Sequence, residues 1–158
     1  MTLYVFDTSS FSKLKHFYPS IFVTVWGGLE KMVQDGLLIS TKEVWSELNN
    51  GLPDPNLTEW LSARKKVIFT TPAIEEMMIV SEILSIKHFQ SLIGKKQTLK
   101  GTPVADPFIV ACAKIKGACV VTEECYKENS SKIPNICEYF EVECINLEEF
   151  MQRRGWSF

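Results

Sequence analysis

The sequence predicts an α/β fold, a three-layer α/β/α sandwich in which a mainly parallel sheet lies between two layers of helices. Short apolar runs such as "LYVF", "GLLIS" and "ACVVT" are typical of strands that are buried on both faces. Segments with helical periodicity separate these runs, and strands that alternate with helices form parallel βαβ units. The length of 158 residues and the absence of a linker predict a single domain over residues 1–158.

The first third of the chain is predicted to contain two strands and the helices that follow them. The strand "YVF" ends at Asp7, and residues 11–34 have a helical pattern with a break near Pro19. Residues 36–40 form a second apolar run. Residues 41–51 begin with a threonine that can cap a helix and end on Asn-Asn-Gly, which predicts a helix between them.

The rest of the chain continues this alternation. After the turn-rich "GLPDPN" we expect a short helix, and then a short extended segment at residues 66–71. Apolar residues recur at helical spacing over residues 72–94, which predicts one long amphipathic helix. A helix beginning near Pro107, a third buried strand at residues 118–122, and a last strand with a terminal helix in residues 139–158 complete the pattern.

Composition excludes several classes of protein. The formal net charge of −2 does not indicate a globally basic nucleic-acid binder. No apolar run reaches the roughly 18 residues of a membrane span, and the first residues lack the pattern of a signal peptide, so we expect a cytoplasmic protein without a membrane partner. The cysteines contain no C-x-x-C pair and are odd in number, which predicts reduced, structural thiols. They are Cys112, Cys119, Cys125, Cys137 and Cys144.

Acidic residues stand where the predicted strands end or the predicted helices begin. Asp7 directly follows the first strand, and Asp106 precedes Pro107 at the start of a helix. Glu123 and Glu124 follow the third buried strand. Each acid alone is typical of a helix cap or a solvated turn. In a parallel sheet, however, these positions share one edge, where functional sites of such folds lie.

A fifth and a sixth carboxylate belong to the same edge. Glu43 and Glu47 are four residues apart on the helix after the second strand, so they share one helix face. Carboxylates that converge in one crevice repel each other unless a cation lies among them. Oxygen ligands select Mg²⁺ or Mn²⁺, and such ions promote phosphodiester hydrolysis. The sequence therefore predicts a metal-dependent nuclease site.

Four segments, taken in order, resemble the PIN-like domain family of metal-dependent nucleases, which includes the ribonuclease toxins of toxin-antitoxin pairs. These segments are "YVFDTSSF", "VWSELNNG", "VADPFIVACA" and "VVTEE", and the similarity covers nearly the whole chain. The long helical segment and the ending "RRGWSF" are similar to an uncharacterised bacterial and archaeal branch of that family. The resemblance implies that four residues are both metal ligands and catalytic residues: Asp7, Glu47, Asp106 and Glu124. Glu123 remains an alternative or additional ligand to Glu124, and Glu43 an alternative to Glu47.

The resemblance also implies partners and contacts. We expect RNA, or another single-stranded nucleic acid, as the substrate, together with a possible antitoxin protein and a homodimer. Hydroxyl groups beside the metal could contact substrate or only cap helices and turns: Thr8, Ser9 and Thr122. Lysines of "KKQTLKG" are candidates for holding phosphates: Lys95, Lys96 and Lys100. The segment "ARKKV" is a second candidate. The alternative is a PIN-like module with weak or no catalysis that binds protein or nucleic acid.

Overall fold

The central feature of the fold is a five-stranded sheet in which all neighbouring strands run parallel. The computed structural model describes residues 1–51, 54–92 and 104–158, with only the backbone described at residues 90–92. The strand order is β3-β2-β1-β4-β5. The strands are β1 Tyr4–Phe6, β2 Leu38–Thr41, β3 Phe69–Thr70, β4 Cys119–Val121 and β5 Cys144–Ile145. The predicted α/β sandwich with a parallel sheet is confirmed.

Helices cover the sheet and connect its strands. Their bounds are α1 Thr8–Lys13, α2 Val23–Gln34, α3 Lys42–Asn50, α4 Pro55–Ala63, α5 Lys65–Ile68, α6 Ile74–Ser85, α7 Asp106–Lys116, α8 Ile133–Tyr139 and α9 Leu147–Arg153. Short 3-10 helices span Leu14–His16 and Lys87–Leu92. The predicted break near Pro19 lies between the first of these 3-10 helices and α2. Residues 42–50 form the helix expected after the second strand.

The central strand β1 is buried on both faces, as its continuous apolar sequence predicts. The rings of Tyr4 and Phe6 meet the ring of Phe150 in α9 edge to face, with centroids 4.9 and 5.0 Å apart. Val5, between them, is fully buried, and α7 packs against β1, β2 and β4. Because successive side chains of a strand point to opposite faces, β1 presents two aromatic rings to α9 and Val5 to the opposite face.

The structure corrects two predictions about secondary structure and adds one helix. The long helix expected over residues 72–94 ends at Ser85, because Ile86 adopts an extended backbone and the 3-10 helix that follows buries Phe89. The end of that predicted range, residues 93–94, lies outside the described residues. The segment predicted as extended at residues 66–71 is helical as far as Ile68 and becomes β3 only at Phe69. Helix α8 was not predicted.

The remaining global expectations concern the thiols and membrane spans. All five cysteines are free, and those at positions 112, 119 and 137 are buried in the core. Burial raises the pKa of the Cys112 thiol to about 12, which keeps it protonated and unreactive at neutral pH. Among the described residues, no helix combines the length and apolar character needed to cross a bilayer.

Candidate active site

Asp7 lies at the carboxyl end of the central strand and is held there by hydroxyl groups. Its backbone N–H donates to the Val121 carbonyl over 3.0 Å, which continues the pairing of β1 with β4. Its Oδ2 atom accepts hydrogen bonds from Ser9 Oγ at 2.8 Å and from Thr122 Oγ1 at 2.9 Å. Asp7 precedes α1 but makes no side-chain cap bond. Its carboxylate, although only 3% exposed, is therefore positioned for a purpose other than capping.

Glu47 reaches the same edge from α3, where two donors fix its carboxylate. Thr8 Oγ1 donates to its Oε2 atom at 2.6 Å, and the backbone N–H of Ala105 donates to its Oε1 atom at 2.9 Å. Thr8 is the residue after Asp7, and Ala105 is the residue before Asp106. These two bonds therefore bring Glu47 between the strand-end acid and the acid at the start of α7.

Asp106 is the most strongly perturbed carboxyl group of the cluster. It is the first residue of α7, and the N-cap position belongs to Ala105. The pKa of Asp106 is raised to about 8. Burial is the largest cause, and the charges of Glu124, Asp7 and Glu47 add to it. The perturbing acids come from three other elements of the fold. Asp106 is thus a member of a carboxylate cluster rather than a helix cap.

The sequence contains a true Asp-Pro helix cap for comparison. Asp54 precedes Pro55 just as Asp106 precedes Pro107. Asp54 is the N-cap of α4, and its Oδ2 atom accepts a hydrogen bond from the backbone N–H of Leu57 at 3.0 Å. The same dipeptide therefore caps one helix and supplies a buried charge to the other.

Glu124 and Glu123 point to different surroundings. Burial raises the pKa of Glu124, and so do the charges of Asp7 and Glu47, while Lys132 and a hydrogen bond from the backbone of Ile133 lower it. Glu124 is therefore electrostatically part of the cluster. Glu123 instead forms an ion pair with Lys13 at 3.0 Å, and its Oε1 atom accepts from the backbone N–H of Leu147 at 2.8 Å.

Glu43 lies apart from this cluster, on the side of α3 that is nearer to Glu76 of α6. Its side chain is 2% exposed, its Oε1 atom has no hydrogen-bond partner among the described residues, and its neighbour is Glu76. Burial raises the pKa of Glu43, and the charge of Glu76 adds to the shift. Glu76 is paired with Lys116 at 3.3 Å. Of the two glutamates on α3, Glu47 is the one that the fold brings to Asp7.

The cluster has the ligand type of a divalent-cation site, but its carboxylates are not gathered around a single ion position. Its donors are all carboxylate oxygens, which suit Mg²⁺ or Mn²⁺, and the charges of its members help to raise the pKa of Asp106 and of Glu124. In the part of the chain that the structure describes, no three His, Cys, Asp or Glu side chains are grouped closely enough to hold an ion. The acids would have to move toward the ion on binding. The donor set fits such an ion in type and charge.

The comparisons with known proteins identify the family of this chain. The model of one family, described as domain of unknown function DUF4411, matches residues 4–158. The chain belongs to the DUF4411 family. A search of curated proteins found no match. All four clustered acids of this DUF4411 protein lie within the matched range.

Sequence reasoning missed one charged residue beside the cluster of the DUF4411 chain. Lys132 precedes α8 and lowers the pKa of both Asp106 and Glu124. The signal that could have revealed it is "KIPN", in which Pro134 stands near the first position of a helix, where proline is favoured. The lysines of "KKQTLKG", at positions 95, 96 and 100, lie outside the described residues.

Proposed function

We propose that this protein is a Mg²⁺- or Mn²⁺-dependent endoribonuclease that hydrolyses phosphodiester bonds in RNA. The observation that carries the proposal is the convergence of Asp7, Glu47, Asp106 and Glu124 at the carboxyl edge of a parallel sheet. Uncompensated carboxylates destabilise a fold, and here two of them have raised pKa values. Clustered carboxylates with raised pKa values are characteristic of functional sites, because they do not contribute to the stability of the fold.

The hydroxyl groups support the proposal by holding the carboxylates in place. Ser9 and Thr122 both donate to one oxygen of Asp7, and Thr8 donates to Glu47. Ser9 Oγ and Thr122 Oγ1 also accept hydrogen bonds from the backbone N–H groups of Glu123 and Glu124, at 3.0 and 3.1 Å, so they connect Asp7 to the turn that carries Glu124. A positioned acid can orient an attacking water and take up its proton as the phosphate is attacked.

The residues that would hold the metal are the four clustered acids. When bound there, a divalent ion would supply an activated water and offset the charge on the phosphate oxygens. Asp106 has a pKa of about 8, so a positive charge beside it would favour its ionised form at neutral pH. Lys132 supplies one such charge from the protein and is placed to attract a phosphate to the same edge.

A nuclease assay with matched variants tests the proposal. Asp7→Asn and Asp106→Asn should each abolish cleavage of labelled RNA in Mn²⁺, whereas Asp54→Asn, at the other Asp-Pro helix start, should cut at the wild-type rate. Chelator should stop cleavage by the wild type. Cleavage at the wild-type rate by Asp7→Asn or Asp106→Asn, once both are shown to be folded, contradicts the proposed role of these acids.

A second candidate function is a binding module without catalysis. It is favoured by one observation, that no three metal-ligating side chains of the described residues are already grouped. It predicts nucleic-acid binding that needs no metal and no cleavage under any metal. Calorimetric titration with Mn²⁺ separates the two, since the nuclease requires binding that Asp106→Asn weakens.

The resemblance to PIN-like toxins extends the proposal to the cell. We propose cytoplasmic action on RNA, an antitoxin protein that restrains the activity, and assembly as a homodimer. Growth arrest on expression, relieved by Asp106→Asn, is the result that this extension predicts.

A further inference from the structure

A groove beside α3 combines positive charge with an aromatic ring. It encloses about 550 Å³, and three lysines line it: Lys42, Lys65 and Lys66. Within the part of the chain that the structure describes, none of the three takes part in an ion pair, in contrast to Arg64, which is paired with Glu30. The groove therefore has unneutralised positive charge, in a protein whose formal net charge is −2.

Trp45 holds one of these lysines in position. The Nζ atom of Lys65 lies over the Trp45 ring, 5.2 Å from its centroid, a geometry in which the ring face attracts the ammonium group. The Trp45 ring is itself supported by the sheet, because it packs against Phe69 of β3 with ring centroids 5.2 Å apart. The ammonium group is thus held at the groove rather than left to move freely in solvent.

Among the residues that the structure describes, Glu43 is the acid that lines the groove, and it is buried. Its side chain is 2% exposed, and burial raises its pKa, although the charge of Lys42 lowers it. The lysines, in contrast, are exposed. A ligand that enters the groove therefore meets ammonium groups first.

The groove adjoins the acidic cluster through α3. Trp45 also lines a second groove of about 200 Å³, whose walls include Thr8 and Glu47. Thr8 and Glu47 are the hydrogen-bonded pair that connects α1 with α3 at the acidic site. A chain of phosphates that lies in the lysine groove can therefore continue past Trp45 to the carboxylates.

We propose that the groove lined by Lys42, Lys65, Lys66 and Trp45 binds the phosphate backbone of the RNA substrate on one side of the acidic cluster. This assignment rests on the proposed function, which supplies RNA as the substrate. It adds the path of the RNA, from the lysine groove past Trp45 to the acidic cluster. Lys65 and Lys66 neutralise phosphates, and Trp45 acts as a positioning residue for Lys65. An acidic protein segment is the competing ligand, and the test includes it.

The test measures binding without cleavage. A fluorescent 12-nucleotide RNA is titrated into protein carrying Asp106→Asn, in chelator, over a series of salt concentrations. Replacing Lys65 and Lys66 together by alanine should weaken binding at every salt concentration and reduce the slope of log K against log salt by about 1.4, at roughly 0.7 per phosphate contact on a single strand. The charge-matched control replaces Lys31 and Lys114 by alanine and should leave the slope unchanged.

The role of Trp45 is tested on the same background. Trp45→Leu should weaken RNA binding about three- to fivefold through the loss of the cation–π contact, and Trp45→Phe should restore most of it. A purely structural role would instead lower the melting temperature of both variants without this difference in binding.

Each outcome separates the groove from the nuclease. If the groove variant binds RNA with the same slope as the control while the wild type cleaves RNA, the groove assignment is wrong and the proposed function stands. If the slope falls as expected but the wild type never cleaves, the binding groove stands and the nuclease does not. Equal affinity for a polyglutamate 12-mer and for the RNA would overturn the nucleic-acid assignment in favour of an acidic protein segment.

Discussion

Neutralising Asp106 should stabilise the metal-free protein, and the effect should depend on pH. Asp106 has a pKa of about 8 in the folded state against an ordinary value of 3.8. Since the folded state binds this proton more strongly than the unfolded state, ionisation of Asp106 opposes folding. Stability is unaffected below about pH 4, falls as the pH rises toward 8, and levels off above that value. Asparagine does not titrate, so Asp106→Asn removes this loss.

The magnitude follows from the shift. A difference of about four pKa units means that ionisation of Asp106 lowers the free energy of unfolding by on the order of 5 kcal/mol, at about 1.4 kcal/mol per unit. Because Asp106 keeps part of its surface in water, we expect roughly half of this, about 2–3 kcal/mol at pH 8.5. In a domain of this size 1 kcal/mol moves the melting temperature by about 2–4 °C, so the variant should melt roughly 5–10 °C above the wild type.

Thermal melts at pH 5 and pH 8.5, each in chelator and in Mn²⁺, provide the measurement. In chelator, the difference in melting temperature between Asp106→Asn and the wild type should be small at pH 5 and large at pH 8.5. Mn²⁺ should narrow the gap, because it stabilises the wild-type cluster by mass action and the variant has lost a ligand.

Asp54 provides the control for capping. Asp54→Asn should change little under any condition, and Asp54→Ala should cost about 1 kcal/mol by loss of the cap bond to Leu57. If Asp106→Asn is destabilised equally at both pH values, with and without Mn²⁺, then Asp106 contributes as an ordinary helix-start residue and the electrostatic reasoning is wrong.

Three further predictions concern the two glutamates after β4, the glycines of α2 and the lysines of "KKQTLKG". Glu124→Gln should abolish RNA cleavage in Mn²⁺, whereas Glu123→Gln should keep it, because the Glu123 carboxylate is engaged in an ion pair and a helix-start bond; the reverse result would exchange their roles. Gly28→Ala should cost about 1–3 kcal/mol in urea melts because its methyl group would overlap the Trp156 indole, whereas Gly27→Ala, in open space on the same helix, should stabilise by up to about 1 kcal/mol. Reversing the charge of the three lysines in "KKQTLKG" should flatten the salt dependence of RNA binding and leave Mn²⁺ affinity nearly intact; an unchanged salt slope would mean that these lysines take no part in binding.

The strands that carry the site were predictable because their signals are local. Short apolar runs ending in an acid or a threonine identify β1, β2 and β4, and parallel pairing brings their ends to one edge. The convergence of Asp7 with Asp106 could therefore be predicted from sequence. The structure then adds the hydrogen bonds of Ser9 and Thr122 to Asp7, which depend on side-chain geometry that no spacing encodes.

What could not be predicted depends on tertiary contacts. Glu43 and Glu47 share a helix face by spacing, but one turn along α3 is enough to bring Glu43 to Glu76 and Glu47 to Thr8. Helix α8 has seven residues, too few for a clear periodicity, and it is fixed by the burial of Ile133 and Ile136. The predicted long helix failed because an apolar pattern does not show where a backbone turns toward the core.

The position of β1 between β2 and β4 affects how the protein is made on the ribosome. Phe6 pairs with Val121, so strand β1 cannot form this pairing until a partner 115 residues further along the chain has been synthesised. At about 5–20 residues per second this takes roughly 6–23 s. Throughout that time the nascent chain cannot hold Asp7 against Thr122 or bring Glu124 to the acidic cluster. Under the proposed nuclease function, this delay would keep the growing chain inactive beside the ribosome and the messenger RNA that are producing it.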